Sequence, residues 1–164
     1  METNVPAVTY LLMPKQLLIA DDSYLVRETI KNVLAGRTDI AVCGEASNGL
    51  ETVEKAKALK PDLILLDLAM PEMNGAETAS VLKMAVPDVR IILFTMHSEN
   101  VGSYLTSAVG IDAVLSKPDG MTALLNAVEA ALTPTSTLVE GETSTQKPAQ
   151  TALPSAERRK ASQV

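Results

Sequence analysis

The stretch Gln16-Leu17-Leu18-Ile19-Ala20-Asp21-Asp22-Ser23 decides the fold class, because a short apolar run stops abruptly at two acids. Beyond it, apolar residues recur with the spacing of one helix face, at Val26, Ile30 and Val33. The polar residues between them are expected to face water: Arg27, Glu28 and Lys31. The stretch therefore predicts a buried strand, an acidic turn and an amphipathic helix.

The same alternation recurs along the chain. Further strands are predicted at residues 40–45, 62–66, 89–94 and 113–116, and further helices at about 50–59, 76–84, 100–108 and 121–132. Short apolar strands that alternate with helices favour a parallel sheet with helices on both faces, because right-handed crossovers place them on either side. We therefore predict a doubly wound α/β fold whose ligands bind beyond the carboxyl ends of the strands.

The composition divides the chain into three parts. Residues 15–132 carry the alternating pattern and have the size of one domain. Residues 1–14 show no clear pattern and are predicted to be a flexible extension, with Met13 as an alternative start. Residues 133–164 are rich in Thr, Ser, Pro, Ala and Gln without regular apolar spacing, which predicts a disordered tail.

Charge and composition narrow the function classes. The net charge of −6 gives no basic field for a phosphate backbone, so no direct DNA binding is expected. The single cysteine, Cys43, excludes an internal disulfide framework and a multi-cysteine zinc site. No apolar stretch approaches the ~20 residues of a membrane-spanning helix and no signal peptide is recognised, which predicts a cytoplasmic protein. Neither a Gly-rich dinucleotide loop nor a P-loop follows a strand, so no nucleotide site is expected.

Polar residues stand at the carboxyl ends of four predicted strands: Asp21 and Asp22 after the first, Asp67 at the third, Thr95 after the fourth and Lys117 after the fifth. Parallel strands bring these ends to one edge of the sheet, so we expect the side chains to converge. Carboxylates a few ångströms apart repel one another unless a cation neutralises them, and Mg²⁺ prefers such hard oxygen ligands. With Mg²⁺ and Lys117 neutralising an incoming phosphoryl group, Asp67 can attack phosphorus and Thr95 can hydrogen-bond a phosphoryl oxygen.

Together with Thr95 and Lys117-Pro118, the acidic pair and the stretch Asp67-Leu68-Ala69-Met70-Pro71-Glu72-Met73-Asn74-Gly75 resemble the signature of bacterial response-regulator receiver domains. The resemblance covers about residues 15–132 and implies a flavodoxin-like (βα)5 fold with strand order 2-1-3-4-5. It also implies that Asp67 is the phosphoacceptor and a Mg²⁺ ligand. Asp22 would be a direct ligand, Asp21 would act largely through water, the Ala69 backbone carbonyl would be a further ligand, and Lys117 would pair with the phosphoryl group.

The function implied by the resemblance is that of a module of a two-component phosphorelay, and the short polar tail adds the expectation that this module stands alone. It would receive its phosphoryl group from a sensor histidine kinase or a phosphotransfer protein and control a downstream protein target. It would phosphorylate and dephosphorylate itself rather than act as a turnover enzyme. A phosphorylation-dependent dimer is a further expectation, and no membrane partner is expected. Many relatives carry a DNA-binding helix-turn-helix after the receiver, but residues 133–164 are expected to be too few and too polar for one.

Two family features qualify the resemblance. Receivers usually carry Tyr or Phe three residues before the lysine, where this chain has Val114, so a signal would pass through backbone and loop movement around residues 95–100. The family also has a cis peptide before the proline that follows the lysine, which predicts a cis Lys117–Pro118 bond.

Two other functions remain open on the sequence. A haloacid-dehalogenase-like phosphatase would also use an aspartyl nucleophile, but that family needs an Asp where this chain has Ala69. An adaptor that binds partners without phosphorylation is compatible with the missing aromatic residue. His97, the single histidine, is expected to be an exposed loop residue rather than a catalytic group.

Overall fold

The protein is described by a computed structural model over residues 13–96, 98, 101 and 109–133. In chain order the elements are β1 (Lys15–Ala20), α1 (Tyr24–Leu34), β2 (Ile40–Ala46), α2 (Gly49–Leu59), β3 (Leu63–Leu66), α3 (Gly75–Ala85), β4 (Arg90–Thr95), β5 (Ala113–Ser116), a 3-10 turn (Lys117–Asp119) and α4 (Gly120–Leu132). The helix predicted over 100–108, His97, and most of the predicted extension and tail lie outside the described residues.

The five strands form one parallel sheet in the order β2-β1-β3-β4-β5, as predicted. All four residues of β3, Leu63–Leu66, are buried, which fits a central parallel strand covered on both faces. Since the strands run in the same direction, the residues that follow β1, β3 and β5 stand at one edge. We call this edge the carboxyl edge, and the edge where the strands begin the amino edge.

Two aliphatic clusters hold the sheet, one on each face, because successive strand residues point to opposite sides. One cluster joins alternate strand residues to α2 and α3 and includes Leu18, Ile64, Leu66, Leu93, Ala56 and Leu82. The other joins the remaining strand residues to α1 and α4 and includes Leu17, Ile19, Leu65, Ile92, Ile30 and Val128. Packing on both faces fixes the strand ends, and so fixes the backbone from which the polar side chains project.

Side-chain caps start three helices at the carboxyl edge. Ser23 caps α1 and Asn48 caps α2, each accepting a hydrogen bond from a backbone N–H in the first turn. Asn74 caps α3 in a reciprocal arrangement with Glu77. The caps therefore leave Asp21 and Asp22 free of the capping role that a lone acidic pair before a helix would suggest.

The Lys117–Pro118 peptide is trans, and the described residues contain no cis peptide bond, so the cis prediction was wrong. Pro118 lies in the 3-10 turn that leads into α4, where the fixed φ of proline suits the start of a helical turn. Within the described ranges, no helix has the length and apolar character needed to cross a membrane.

Candidate functional site

Three carboxylates meet at the carboxyl edge. Asp21, Asp22 and Asp67 each contribute one oxygen, and these oxygens lie within 4.8 Å of one another. The sheet's hydrogen bonding continues into the site: Asp67 N–H donates to the Ala20 carbonyl at 2.8 Å, and Asp21 N–H donates to the Ala46 carbonyl at 3.0 Å. Strands β1 and β2 therefore hold the backbone of both buried acids directly.

Lys117 reaches the same place from the end of β5. Its Nζ atom lies 2.6 Å from Oδ2 of Asp21 and 3.3 Å from Oδ2 of Asp67, and its side chain is 12% exposed. The structure thus brings together four of the residues that the sequence selected, with the Lys117 ammonium group paired to two of the three carboxylates. Their assigned roles stay predictions.

Burial shapes the protonation of this cluster. Asp21 and Asp67 are buried, whereas Asp22 is exposed. Burial raises the pKa of Asp21, and the hydrogen bond from Lys117 offsets this only in part. Burial alone would lower the pKa of Lys117, but the hydrogen bond and charge of Asp21 outweigh it and the net pKa is raised. Lys117 therefore remains an ammonium group at neutral pH.

The two carboxylate oxygens of Asp67 differ. Oδ2 faces Lys117, whereas Oδ1 is buried and has no hydrogen-bond partner within the described residues. A buried carboxylate oxygen without a donor is costly, and a cation would remove that cost. Mg²⁺ fits this donor set, because all three side chains offer hard oxygen atoms and one of those oxygens lacks a partner.

The loop after β3 presses closely against Asp67. Gly75 N–H donates to the Leu68 carbonyl at 2.9 Å, and a Cβ atom on Gly75 would stand 2.2 Å from the Asp67 carbonyl oxygen. Glu72, within this loop, has a left-handed φ of 67°. Gly75 belongs to the stretch that resembles the receiver signature, but its sequence position alone predicted no role for it. Its role is to let α3 begin directly against the backbone of Asp67.

The remaining predicted site residues are placed less completely. Thr95 is buried at the end of β4, in register with Ser116 of β5. Ala69 is exposed on the loop after β3, and its role as a carbonyl ligand stays a prediction. Val114 packs against the cluster on the α2 and α3 face, at the position where receivers usually carry an aromatic residue.

Arg27 departs from the sequence prediction. It was expected to face water, but its side chain is only 14% exposed. Its Nη1 atom donates to the Asp21 carbonyl at 2.6 Å and its Nε atom to Oε2 of Glu45 at 3.0 Å. The helical pattern did place Arg27 between apolar positions, but its acceptor on β2 is 18 residues away and no local pattern indicates it.

Comparison of the chain with known proteins shows which family carries this group of acidic residues and lysine. The sequence model of the family described as "Response regulator receiver domain" matches residues 17–129. The response regulator protein VraR of Staphylococcus saprophyticus is 34% identical over 116 residues, which are 71% of this chain and 56% of VraR. The signal receiver domain of NarL from Mycobacterium tuberculosis is 31% identical with a TM-score of 0.66, over 72% of this chain and 96% of that one.

A further match concerns partners. RcsB from Salmonella enterica serovar Typhimurium, solved bound to promoter rprA in the presence of the phosphomimetic BeF3⁻, is 26% identical with a TM-score of 0.62. The match covers 73% of this chain and 99% of that one.

These findings confirm the predicted resemblance and strand order, but they overturn one expectation. The exclusion of DNA from the partners was wrong, because the matched RcsB is a response regulator bound to a promoter. The physical reason is that the net charge describes only this chain, which spans about half the length of the curated relatives it matches. The stand-alone arrangement stays a prediction.

Proposed function

The chain belongs to the response-regulator receiver family, and from that premise we propose that it is the phosphoacceptor module of a two-component phosphorelay, with Asp67 forming the aspartyl phosphate. The observation that carries the proposal is the difference between the two Asp67 oxygens. Lys117 holds Oδ2, while Oδ1 is buried and has no partner within the described part of the chain. An oxygen in that state keeps its electron pairs for phosphorus or a metal ion.

We propose that Asp22 and Asp67 hold Mg²⁺ directly, that the Ala69 carbonyl contributes a ligand, and that Asp21 acts largely through water. Bound Mg²⁺ would supply positive charge against the oxygens of the transferring phosphoryl group. The 4.8 Å grouping of the three carboxylates supports this assignment. Asp21 also accepts a hydrogen bond from the Lys117 ammonium group, so it links the acidic cluster to the cation that the site has besides Mg²⁺.

The protein residues divide the transfer step between them. An Asp67 carboxylate oxygen forms the bond to phosphorus while the phosphorus–nitrogen bond of a donor phosphohistidine breaks, and the imidazole leaves with that electron pair. Lys117 pairs with a phosphoryl oxygen and Thr95 hydrogen-bonds another. Attack of water on the acyl phosphate then releases inorganic phosphate and restores Asp67. On this proposal the domain is a self-modifying switch and not a turnover enzyme.

Exposed apolar side chains support a protein as the phosphoryl donor. Tyr24 and Leu25 follow Asp22 closely in α1 and are 66% and 74% exposed, and Met96 after Thr95 is 56% exposed. Side chains of this kind at a charged site are typical of protein contact surfaces. We propose a sensor histidine kinase or a phosphotransfer protein as donor and a further protein as target. A cytoplasmic location, where a kinase can draw on ATP, belongs to the same proposal.

The test is to incubate the protein with a small phosphodonor such as acetyl phosphate and Mg²⁺, and to measure the intact mass. We expect a gain of one phosphate that is abolished by Asp67→Asn and by a chelator. The matched control is Asp88→Asn, at an exposed position remote from the site, which should be phosphorylated normally. Absence of any gain at saturating donor would instead favour the phosphorylation-independent adaptor.

A further inference from the structure

Arg27 joins three elements at the carboxyl edge. From α1, it donates through Nη1 to the carbonyl of Asp21, directly after β1, and through Nε to the Glu45 carboxylate on β2. Its guanidinium also lies over the ring of Tyr24, with 5.8 Å between Cζ and the ring centroid. With its side chain only 14% exposed, Arg27 is an internal brace rather than a surface charge.

The carbonyl that Arg27 holds belongs to the peptide joining Asp21 to Asp22. This peptide lies between ψ of Asp21 and φ of Asp22, the two backbone angles that set how the Asp21 and Asp22 side chains are oriented relative to each other. The other polar atoms of Asp21 have their own anchors: its N–H donates to the Ala46 carbonyl, and its Oδ1 accepts from Ser23 N–H at 2.9 Å. Among the described contacts, the charge-assisted bond from Arg27 is the one that fixes this carbonyl.

The far end of the brace is also fixed. Glu45 accepts a second cation through Oε1, which lies 2.6 Å from Lys31 Nζ, and its backbone carbonyl accepts from Lys55 Nζ. The hydrogen bonds from Lys31 and Arg27 lower the pKa of Glu45, so it is ionised at neutral pH. Arg27 therefore connects the Asp21 carbonyl to a Glu45 carboxylate that is itself held in place. With both of its acceptors fixed, the guanidinium group has little conformational freedom.

We propose that Arg27 is a positioning residue that sets the two acids after β1 in their metal-binding arrangement, by holding the peptide between them. This inference rests on the proposed function, because it deepens the account of the same site. Without Arg27, the carbonyl of a buried residue would lose its donor, and turning this peptide toward water would satisfy it. The same turn would change the orientation of Asp21 and Asp22 relative to Asp67.

The sign of the effect separates positioning from simple charge. Arg27 is a cation close to an acidic site, so its charge alone opposes the binding of another cation. If Arg27 acted only through charge, its removal would tighten Mg²⁺ binding. Positioning predicts the reverse, because residues that orient metal ligands typically contribute tenfold to a hundredfold, roughly, in affinity.

The experiment measures the Mg²⁺ dissociation constant by calorimetric titration of the wild type, Arg27→Gln, Arg27→Lys and Arg37→Gln. Arg37 is the matched control, because it also pairs with two carboxylates, Asp39 and Glu129, but lies beyond the far end of α1. The expected result is a weakening of about tenfold or more for Arg27→Gln. Arg27→Lys should fall in between, since an ammonium cannot reproduce the two-acceptor fork, and Arg37→Gln should not weaken binding.

Urea unfolding of each variant identifies the folded fraction, so a loss of stability is not counted as a loss of affinity. Binding by Arg27→Gln as tight as wild type, or tighter, would overturn the inference while leaving the proposed function intact. If Arg27→Gln does not fold, unaltered affinity in Arg27→Lys would overturn it. A wild type that binds no Mg²⁺ would remove the proposed function itself, and with it the inference.

Discussion

Both edges of the sheet carry aspartates, but the two groups differ in how fully the protein supplies hydrogen-bond donors and cations to their carboxylates. At the amino edge, Asp62 accepts from Gln16 N–H at 2.8 Å and pairs with Lys15. Asp112 likewise accepts from Ile91 N–H at 2.8 Å and lies 3.5 Å from Arg90 Nη1. Each of these carboxylates caps a strand start and faces a cation.

At the carboxyl edge, by contrast, three carboxylates lie together, Asp21 and Asp67 share Lys117, and Oδ1 of Asp67 has no donor within the described residues. The difference teaches that aspartates at strand ends are not a functional signal by themselves. A shortage of cations and donors among the described residues distinguishes the cluster of Asp21, Asp22 and Asp67. Structural carboxylates are satisfied by the protein, and those of the site are left for a ligand.

The largest expected effect is on the rate of phosphorylation. Lys117→Gln removes the ammonium group that contacts Asp21 and Asp67, so repulsion of the incoming phosphoryl group rises. We expect a slowing of about 10²- to 10³-fold with a small phosphodonor, the usual loss for one electrostatic contact to a transition state. The measurement is the rate of phosphate gain by intact mass. Lys15→Gln removes a cation from the amino edge and should leave that rate unchanged.

A backbone contact gives the next effect. In Gly75→Ala the new Cβ would stand 2.2 Å from the Asp67 carbonyl oxygen, so the loop or the end of β3 must shift. We expect a loss of about 1–3 kcal/mol in the free energy of unfolding, together with slower phosphorylation. Gly36→Ala is the control, because its Cβ would meet nothing within 4 Å. Chemical denaturation of the two variants measures the difference, and equal stabilities would show that the contact at Gly75 is not restrictive.

Lys117 and Gly75 also show what the sequence can and cannot predict. The meeting of Asp21, Asp67 and Lys117 followed from topology alone, because parallel strands bring their carboxyl ends together. The apolar run within residues 62–66 predicted a strand, and the strand order implied by the resemblance to receiver domains placed that strand at the centre of the sheet. Gly75 could be assigned no role, because its effect depends on the approach of a helix to a strand end, a distance that no spacing pattern contains.

The burial of charged residues was the second feature that the sequence could not predict. Arg27 falls among helical positions that can face water, and its burial depends on Glu45, which belongs to another element. The difference between the two oxygens of Asp67 likewise depends on which one Lys117 reaches across two strands. The DNA partner of a longer relative could not be predicted either, because the net charge of this chain carries no information on the rest of that relative.

The comparison of the two edges predicts that substitutions at Asp67 and Asp62 change the free energy of unfolding in opposite directions. In buffer without divalent ions, Asp67→Asn relieves repulsion among the carboxylates and should raise the free energy of unfolding by about 1 kcal/mol. Asp62→Asn replaces a satisfied, charge-assisted acceptor and should lower it by about 1 kcal/mol. Urea unfolding at neutral pH measures both.

Saturating Mg²⁺ sharpens the same test, because a ligand that binds only the folded state adds stability by mass action. The wild type should gain more from the ion than Asp67→Asn gains. Destabilisation by both substitutions in metal-free buffer would remove the claim that the cluster of Asp21, Asp22 and Asp67 is short of cations.

The smallest effect concerns Glu51, a satisfied carboxylate at the carboxyl edge itself. It accepts from Lys55 Nζ at 2.7 Å and from the N–H and hydroxyl of Ser47, and these contacts lower its pKa to about 2. A folded pKa below the ordinary value of 4.5 means that ionised Glu51 stabilises the fold at neutral pH. This contribution should disappear as the pH falls from about 4.5 to about 2.

Glu51→Gln should therefore be less stable than wild type at pH 7, by no more than about 1 kcal/mol, since the Glu51 side chain is about a third exposed and water screens the pair. The two stabilities should converge near pH 2. Denaturation measured across this pH range provides the check. A difference that does not change with pH would mean that Glu51 acts through packing. In that case the contrast between satisfied and unsatisfied carboxylates would rest on the amino edge alone.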